Sequence, residues 1–439
     1  MSKIALIIVV VIGVALWSQR TQAAPQSWYS HGRSGSSLPR HGGVRRANLI
    51  STVKSRLKRN GSHGAIMLGT TMSGRKYLPP SDSLLVFGPT RSGKTLTLAL
   101  PLLKEFRGPA VVTSVKRDLL QRSIAFRQSK GECHIFDLSD PASSPWNLFS
   151  LVLDFRSSKE VSDSLCGVTR SKTAEMDFWG QLGSKMLAPL LMAAKELGKP
   201  LLSIVRWIES QDFESAFEVL TEAGQYEARG ALEGVLQLDQ RAVSSVVATL
   251  LSLLEPYCDP IVSDLLSRDG IELPALLDRS NSNTLYLCSP LFRAERFYGI
   301  YEIFLRKVFE VAYLAGTNEP KALFLLDELA NIAPIGDLDK IASTCGGYGI
   351  VLISIFQDLS QMSGIYGSRA ATVVNNHRSK LYLSGITDFA TLDYVDKIAA
   401  HNLDSGNSTN PLLRLQSGGG LLIQANAEPL QLRLRRFPR

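Results

Sequence analysis

The chain has 439 residues, of which 45% are hydrophobic and 20% are charged. This length and composition are those of a globular protein with roughly two or three domains, and they exclude a wholly disordered chain. The five cysteines are scattered and form no CxxC pair, which argues against a disulfide framework or a zinc site and fits a reducing cytosol.

The positive charge is concentrated in the N-terminal arm. The formal net charge is +8, but every acidic residue lies at or after Asp82, whereas 12 of the 48 Lys and Arg residues precede it. A basic arm that follows an apolar segment is more typical of contact with anionic lipid than of nucleic-acid recognition.

The first predicted element is an apolar run, Ile4–Trp17. As a helix it would span about 21 Å, short of the ~30 Å hydrocarbon core unless flanking residues are drawn in. A cleaved signal peptide is one interpretation. The other is a single-pass anchor (1–18) in the cytoplasmic (inner) membrane, followed by a basic flexible linker (19–52). The arginines that follow the run favour the anchor and place the bulk of the chain in the cytoplasm.

A phosphate-binding loop follows the predicted strand Ser83–Phe87. The next eight residues match G-x-x-x-x-G-K-[ST], and a stretch that reads as a helix comes directly after them. Glycines allow a tight turn that points N–H groups at phosphate oxygens, and the helix N-terminus adds positive potential. We expect Lys94 to contact the β- and γ-phosphates of ATP and the Thr95 hydroxyl to bind Mg²⁺. The predicted nucleotide-binding residues are Gly88, Pro89, Thr90, Arg91, Ser92, Gly93, Lys94 and Thr95.

A further predicted strand, Lys321–Leu326, ends in two adjacent acids. Ligands of a parallel α/β sheet gather at the carboxyl ends of its strands. We therefore expect Asp327 to hold Mg²⁺ through water and Glu328 to orient and deprotonate the attacking water. The alternative is an exposed strand end whose acids stabilise the first turn of the next helix.

Two polar residues near later strands are also candidates. Gln357 follows the strand Ile350–Phe356, where it could act in catalysis by sensing the γ-phosphate or could begin the next helix. His377 precedes the strand Lys380–Ser384 and is more typical of a packed or capping histidine than of a catalyst.

The stretch between the motifs has a helical pattern. Its longest apolar stripe, interpreted as core, consists of Phe178, Leu182, Met186, Leu190, Ala194 and Leu197. The predicted fold is therefore α/β. Its nucleotide-binding domain is divided into 53–150 and 284–439 around an inserted all-α domain, 151–283.

The tail contains the last predicted strand, Leu421–Ala427. The closing arginines are interpreted as a solvated end, with contact to DNA as the alternative; they are Arg433, Arg435, Arg436 and Arg439.

These motifs together resemble the TraG/TraD-like coupling proteins of type IV secretion and conjugation. The most specific matches are Gly88–Thr95, Leu325–Asn331, Gly336–Lys340 and Gly347–Ile350 leading to Gln357. The stretch Val373–Gly385 looks most like the actinobacterial branch.

The resemblance implies a RecA-like P-loop motor domain carrying an all-α domain, in a membrane-anchored homo-hexamer. It implies ATP hydrolysis coupled to transfer of relaxase-bound single-stranded DNA, or of secreted proteins, into a type IV secretion channel. Such a translocase would grip phosphate backbone without reading sequence. A docking receptor with little hydrolysis and a DNA pump for chromosome or plasmid segregation are the alternatives.

Three features depart from the family pattern. One short apolar segment stands where many members have two membrane helices. The strand end Thr113–Asp118 keeps a lysine, Lys116, but its partner acid is displaced. No arginine directly precedes the strand Ile350–Phe356, so an arginine acting in trans is not assigned, and Arg369 and Arg378 are the possibilities.

Overall fold

The computed structural model describes residues 66–79, 81–167, 174–290, 294–316, 321–333, 335–400, 410–425 and 427–437. The apolar run Ile4–Trp17, predicted as an anchor, and the linker 19–52 lie outside these residues. Among the described helices, none combines the length and the hydrophobicity that a membrane crossing requires.

The described strands form one sheet. In chain order they are β1 (Met67–Thr71), β2 (Gly74–Tyr77), β3 (Leu84–Phe87), β4 (Ala110–Ser114), β5 (Cys133–Phe136), β6 (Thr284–Cys288), β7 (Ala322–Asp327), β8 (Ile350–Phe356), β9 (Ser379–Leu383), β10 (Gly419–Gln424) and β11 (Leu430–Arg433). Their order across the sheet is β2-β1-β11-β10-β9-β3-β8-β7-β4-β6-β5.

The strands from β9 to β5 pair in parallel. Every residue of β3, β4, β6, β7 and β8 is buried, as expected of a parallel sheet covered on both faces. Strand β8 lies between β3 and β7, with Leu84 opposite Ile353 and Asp327 opposite Ile355. The carboxyl ends of these three strands therefore meet at one edge.

The opposite side of the sheet is antiparallel, with β10, β11, β1 and β2 added beyond β9. The prediction of Leu421–Ala427 as the last strand is wrong, because β10 ends at Gln424 and β11 follows it. The sequence hides β11 because the strand is four residues long and has one fully buried side chain, Leu432.

Helices cover both faces of the sheet. They are α1 (Leu100–Glu105), α2 (Arg117–Gln128), α3 (Phe155–Leu165), α4 (Ala174–Glu196), α5 (Leu201–Ser210), α6 (Glu214–Glu222), α7 (Tyr226–Leu236), α8 (Gln240–Leu254), α9 (Pro260–Leu265), α10 (Leu273–Leu276), α11 (Tyr298–Leu314), α12 (Leu329–Ile332), α13 (Leu338–Thr344), α14 (Leu359–Tyr366), α15 (Ala370–Asn376) and α16 (Phe389–Ala400). Alternate residues of β3 belong to two different apolar clusters: Leu85 and Phe87 to one, Leu84 and Val86 to the other.

Between β5 and β6, every described element is helical. The core of this segment is continuous with one face of the sheet, because its Trp146 ring lies 4.6 Å from the Phe304 ring of α11, which in turn lies 4.4 Å from the Phe136 ring of β5. The division of the chain into the domains 53–150, 151–283 and 284–439 stays a prediction. The apolar stripe of α4 is buried over its middle, but Phe178 and Leu197 at its ends are exposed.

Candidate nucleotide-binding site

A cleft of about 300 Å³ opens at the carboxyl edge where β3, β7 and β4 end. The residues that line it are Pro89, Thr90, Arg91, Ser92, Gly93, Lys94, Thr95, Leu96, Ser114, Lys116, Asp118, Arg122, Asp327 and Glu328. The structure therefore brings together most of the predicted loop and both predicted acids.

The loop after β3 is a tight turn that glycine makes possible. A side chain at Gly88 would place its Cβ 2.8 Å from both the Leu383 side chain and the Ser92 hydroxyl. Gly93 has φ +91°, and Arg91 has φ 67°, a region that costs a non-glycine residue about 1 kcal/mol or more. The chain then enters a π-helical turn, Thr95–Ala99, that continues into α1. Such local irregularities are frequent at functional sites.

The Lys94 side chain lies along the phosphate loop, where its ammonium group is placed to bind an anion. Its side chain is buried, and its ammonium donates hydrogen bonds to the carbonyl oxygens of Gly88 at 2.7 Å and Pro89 at 3.5 Å. Both acceptors belong to the loop itself. A phosphate in the cleft would compete for the same ammonium protons, and a charged acceptor binds them more strongly than a carbonyl does.

Asp327 ends β7 as a buried carboxylate. Its Oδ1 atom is buried and accepts no hydrogen bond from the described residues. Burial, and next the neighbouring Glu328 carboxylate, raise the pKa of Asp327 to about 7, although Lys94 opposes the shift. A buried carboxylate oxygen without a donor, in a cleft that also contains the Thr95 hydroxyl, is the type of oxygen that Mg²⁺ binds. The residues therefore fit a magnesium ion.

Glu328 lines the same cleft because the backbone turns at that residue. In an extended strand, consecutive side chains point to opposite faces. Glu328 instead has φ 51° and ψ 37°, a left-handed conformation that ends the strand and precedes α12. The Thr113 hydroxyl donates a hydrogen bond of 2.8 Å to the Asp327 carbonyl and fixes the chain at this turn. Strained non-glycine residues of this kind cluster at functional sites.

Five residues of the cleft were not predicted from the sequence as site residues: Leu96, directly after the phosphate loop, and four residues between the end of β4 and the second turn of α2. Ser114, Lys116, Asp118 and Arg122 line the cleft from the end of β4 and the first turns of α2. The only signal was their position after a predicted strand whose end departs from the family pattern at Lys116. The neighbouring Arg117 stabilises the start of α2, because its guanidinium lies 2.7 Å from carboxylate oxygens of both Asp137 and Asp140.

Gln357 follows β8, between β3 and β7, but it does not line the 300 Å³ cleft. Its backbone N–H donates 2.9 Å to the Gln361 side chain at the start of α14. Its role as a sensor of the γ-phosphate stays a prediction.

The other candidate residues lie away from the cleft. His377 is fully buried, with Nδ1 2.8 Å from the Val373 carbonyl and Nε2 3.0 Å from the Ser354 hydroxyl, as in a packed histidine. Arg369 is paired with Asp339 in the same chain, whereas Arg378 is 60% exposed and lies 3.9 Å from Asp82. Neither arginine borders the cleft of its own chain, so a role in trans stays a prediction for both.

The family profile described as "Type IV secretory system Conjugative DNA transfer" matches residues 42–401. The chain belongs to this family. The predicted resemblance to coupling proteins is thereby confirmed, while the actinobacterial branch stays a prediction.

Curated relatives are similar at low identity. Protein VirD4 of Rhizobium rhizogenes is 23% identical over 395 residues, which cover 80% of this chain and 58% of the relative. Conjugal transfer protein TraG of Escherichia coli is 20% identical over 339 residues, covering 69% of this chain and 52% of the relative. The chain thus spans little more than half the length of these family members.

Solved structures confirm the α/β P-loop fold. Bacterial conjugative coupling protein TrwBdeltaN70 in its unbound form has a TM-score of 0.62 at 18% identity, with 88% of this chain and 91% of that chain covered. Plasmid coupling protein TrwB in complex with ADP and Mg²⁺ has a TM-score of 0.64 at 19% identity, with 87% and 92% covered.

Proposed function

We propose that this family member is an ATPase that couples hydrolysis of ATP to the movement of DNA into a type IV secretion channel. The observation that carries the catalytic part is the buried Oδ1 of Asp327, which lacks a donor, in the cleft that Lys94 and Glu328 also line. The Glu328 carboxylate adds to the cost of ionising the buried Asp327, so a fold that did not hydrolyse nucleotide would have no reason to keep these two acids side by side.

Each residue has a distinct task in this proposal. The loop from Gly88 to Thr95 holds the phosphates with backbone N–H groups, and Lys94 neutralises charge on the β- and γ-phosphates. Thr95 and Asp327 would hold Mg²⁺, which when bound neutralises phosphate charge. Glu328 orients the attacking water and accepts its proton.

The DNA part of the proposal rests on the family. Members include conjugal transfer proteins, and TrwB is described as a plasmid coupling protein. We further propose that the cargo is a relaxase-bound single strand or a secreted protein, that the chain works as a homo-hexamer, and that Ile4–Trp17 anchors it in the cytoplasmic membrane. The excess of arginines after that run supports the proposed orientation.

The test is ATP turnover by the full chain, with and without single-stranded DNA, beside Lys94→Ala and Glu328→Gln. Matched controls are Lys199→Ala and Glu196→Gln, two exposed residues at the end of the long helix α4 and just beyond it. We expect Lys94→Ala to lose nucleotide binding, because it removes the phosphate contact. Glu328→Gln should bind nucleotide but not turn it over.

The proposed motor function is supported if DNA stimulates ATP turnover by the wild type and by both controls, and if Lys94→Ala and Glu328→Gln each abolish turnover. If wild-type turnover equals that of Glu328→Gln under every condition, the catalytic proposal is wrong. The chain would then fit a docking receptor in which nucleotide only binds.

A further inference from the structure

A second, larger cleft lies beside the phosphate loop. It has a volume of about 1320 Å³ and runs between the β1–β2 turn, the segment before β10, and β11 with the residues that follow it. Arg91, Ser92, Gly93 and Leu96 line both this cleft and the nucleotide cleft, so the two share one wall. We call the larger one the arginine cleft.

The arginine cleft is strongly positive. Of the described residues that line it, four are arginine and none is Asp or Glu; the arginines are Arg91, Arg414, Arg433 and Arg436. All four are exposed, and no carboxylate in the described part of the chain lies within ion-pairing distance of them. By contrast, Arg435 in the same tail is paired with Glu105 and does not line the cleft.

A nucleotide alone does not explain this charge. The triphosphate belongs on the loop beside Lys94, and the ribose and base that would extend beyond it are neutral. Four guanidinium groups without an acidic partner among the described residues, around a cleft of about 1320 Å³, instead match a ligand that carries several separated phosphates. The cleft also offers no described aromatic ring for base stacking, so contact there would be to the backbone and independent of sequence.

The cleft is mechanically connected to the nucleotide site. Phe437, next to Arg436, donates a backbone hydrogen bond of 2.8 Å to the carbonyl of Leu96 in the turn that follows Thr95. Its ring packs 6.0 Å from that of Phe126 on α2, and the Lys104 ammonium of α1 lies over it at 5.2 Å. A shift of the phosphate loop would therefore act directly on the segment that carries Arg436.

We propose that the arginine cleft binds the phosphodiester backbone of single-stranded nucleic acid alongside the nucleotide. This inference rests on the proposed function, because it names the surface through which that function would grip its DNA. Arg414, Arg433 and Arg436 contact phosphates, and Arg91 borders both ligands.

The experiment measures binding of a fluorescent oligothymidylate to the full chain by anisotropy, over a range of salt concentrations. The test variant combines Arg414→Ala, Arg433→Ala and Arg436→Ala. We expect its affinity to fall by roughly tenfold or more and the slope of log affinity against log salt to become shallower by about 2, since each single-strand phosphate contact contributes about 0.7. Circular dichroism checks that the variant folds.

Three comparisons make the result specific. Combined Arg156→Ala, Arg206→Ala and Arg241→Ala changes the net charge equally at exposed sites outside the cleft and should keep wild-type binding. Arg435→Ala should do the same. Combined Arg414→Lys, Arg433→Lys and Arg436→Lys retains the charge and should keep most of the wild-type affinity and salt slope.

Equal binding and equal salt slope in the cleft variant and the charge-matched control would overturn the proposal. So would a cleft variant that loses affinity for a fluorescent ADP but not for the oligonucleotide, because the arginines would then serve the nucleoside. If wild type binds no oligonucleotide, both the cleft proposal and the DNA cargo fail. ATP turnover, measured separately with Lys94→Ala and Glu328→Gln, then decides the catalytic proposal alone.

Discussion

The Thr113 hydroxyl donates a hydrogen bond of 2.8 Å to the backbone carbonyl of Asp327, across the parallel pair of β4 and β7. Both groups are buried. The bond links the strand that carries the acids to its neighbour at the point where Glu328 takes up its left-handed conformation. It therefore holds in place the turn that directs two consecutive carboxylates into one cleft.

Replacing Thr113 by Val keeps the shape of the side chain and removes this bond. The Asp327 carbonyl would lose a partner, and an unsatisfied buried group costs about 1–3 kcal/mol. We expect the free energy of unfolding in urea to fall by that amount and kcat to fall with it. Thr249→Val, which removes a hydrogen bond within α8, should leave turnover unchanged. A Thr113→Val variant with normal turnover would show that the turn does not need the bond.

The raised pKa of Asp327 gives a pH dependence of known sign. With a folded pKa of about 7 and an ordinary value near 3.8, the folded carboxyl keeps its proton between about pH 4 and pH 7 while the unfolded one has lost it. The unfolding free energy of the nucleotide-free protein should therefore fall as pH rises through this window, by at most about 1.4 kcal/mol for each pH unit crossed.

Asp327→Asn cannot ionise, so its stability relative to wild type should grow from pH 4 to pH 8. Urea unfolding of both proteins at several pH values is the measurement, and a constant difference would contradict the assigned pKa. Since the ionised form of Asp327 is the one that would hold Mg²⁺, affinity of wild type for Mg²⁺-nucleotide should also rise between pH 6 and pH 8.

The packing around Gly88 predicts a severe effect of a single methyl group. In Gly88→Ala the new Cβ would lie 2.8 Å from the Leu383 and Ser92 side chains, and overpacking of this kind typically costs about 1–3 kcal/mol. We expect loss of nucleotide affinity together with a lower melting temperature. Gly234→Ala on α7 has open space around the new methyl and should stabilise the protein by about 0.5–1 kcal/mol. If Gly88→Ala binds fluorescent ADP with wild-type affinity, the phosphate loop does not require glycine at this position.

His377 should make the protein sensitive to acid. Complete burial lowers the pKa of His377 from 6.5 to about 4. As pH falls from about 6.5 to 4, His377 is therefore protonated in the unfolded chain but stays neutral in the folded protein. Stability contributed by neutral His377 is thus present above pH 6.5 and is lost in that window. His377→Leu should cost about 1–3 kcal/mol at pH 7.5, because Val373 and Ser354 lose their partner, and distinctly less at pH 5. His134→Gln, at a partly exposed position, provides the control. If His377→Leu lowers the free energy of unfolding equally at both pH values, the lowered pKa of His377 is wrong.

The parts of the site that are continuous in the chain could be predicted from the amino-acid sequence. The loop Gly88–Thr95 and the pair Asp327–Glu328 each follow a run of apolar residues, and a buried parallel strand can be read from such a run because both of its faces need apolar side chains. The rule that ligands gather at the carboxyl ends of strands then predicted that the two motifs would share one cleft.

The other residues of the site could not be predicted in this way, because the three-dimensional fold brings them to the cleft. Apolar patterns do not encode strand order, so they do not show that β8 lies between β3 and β7 or that Asp118 and Arg122 line the cleft. Nor do they encode local backbone geometry such as the left-handed conformation of Glu328. The same holds for the arginine cleft, where Arg91 of the phosphate loop meets Arg414 and Arg433 from the C-terminal part of the chain. Charged side chains at the surface follow no packing period, so their meeting in space depends on the fold as a whole.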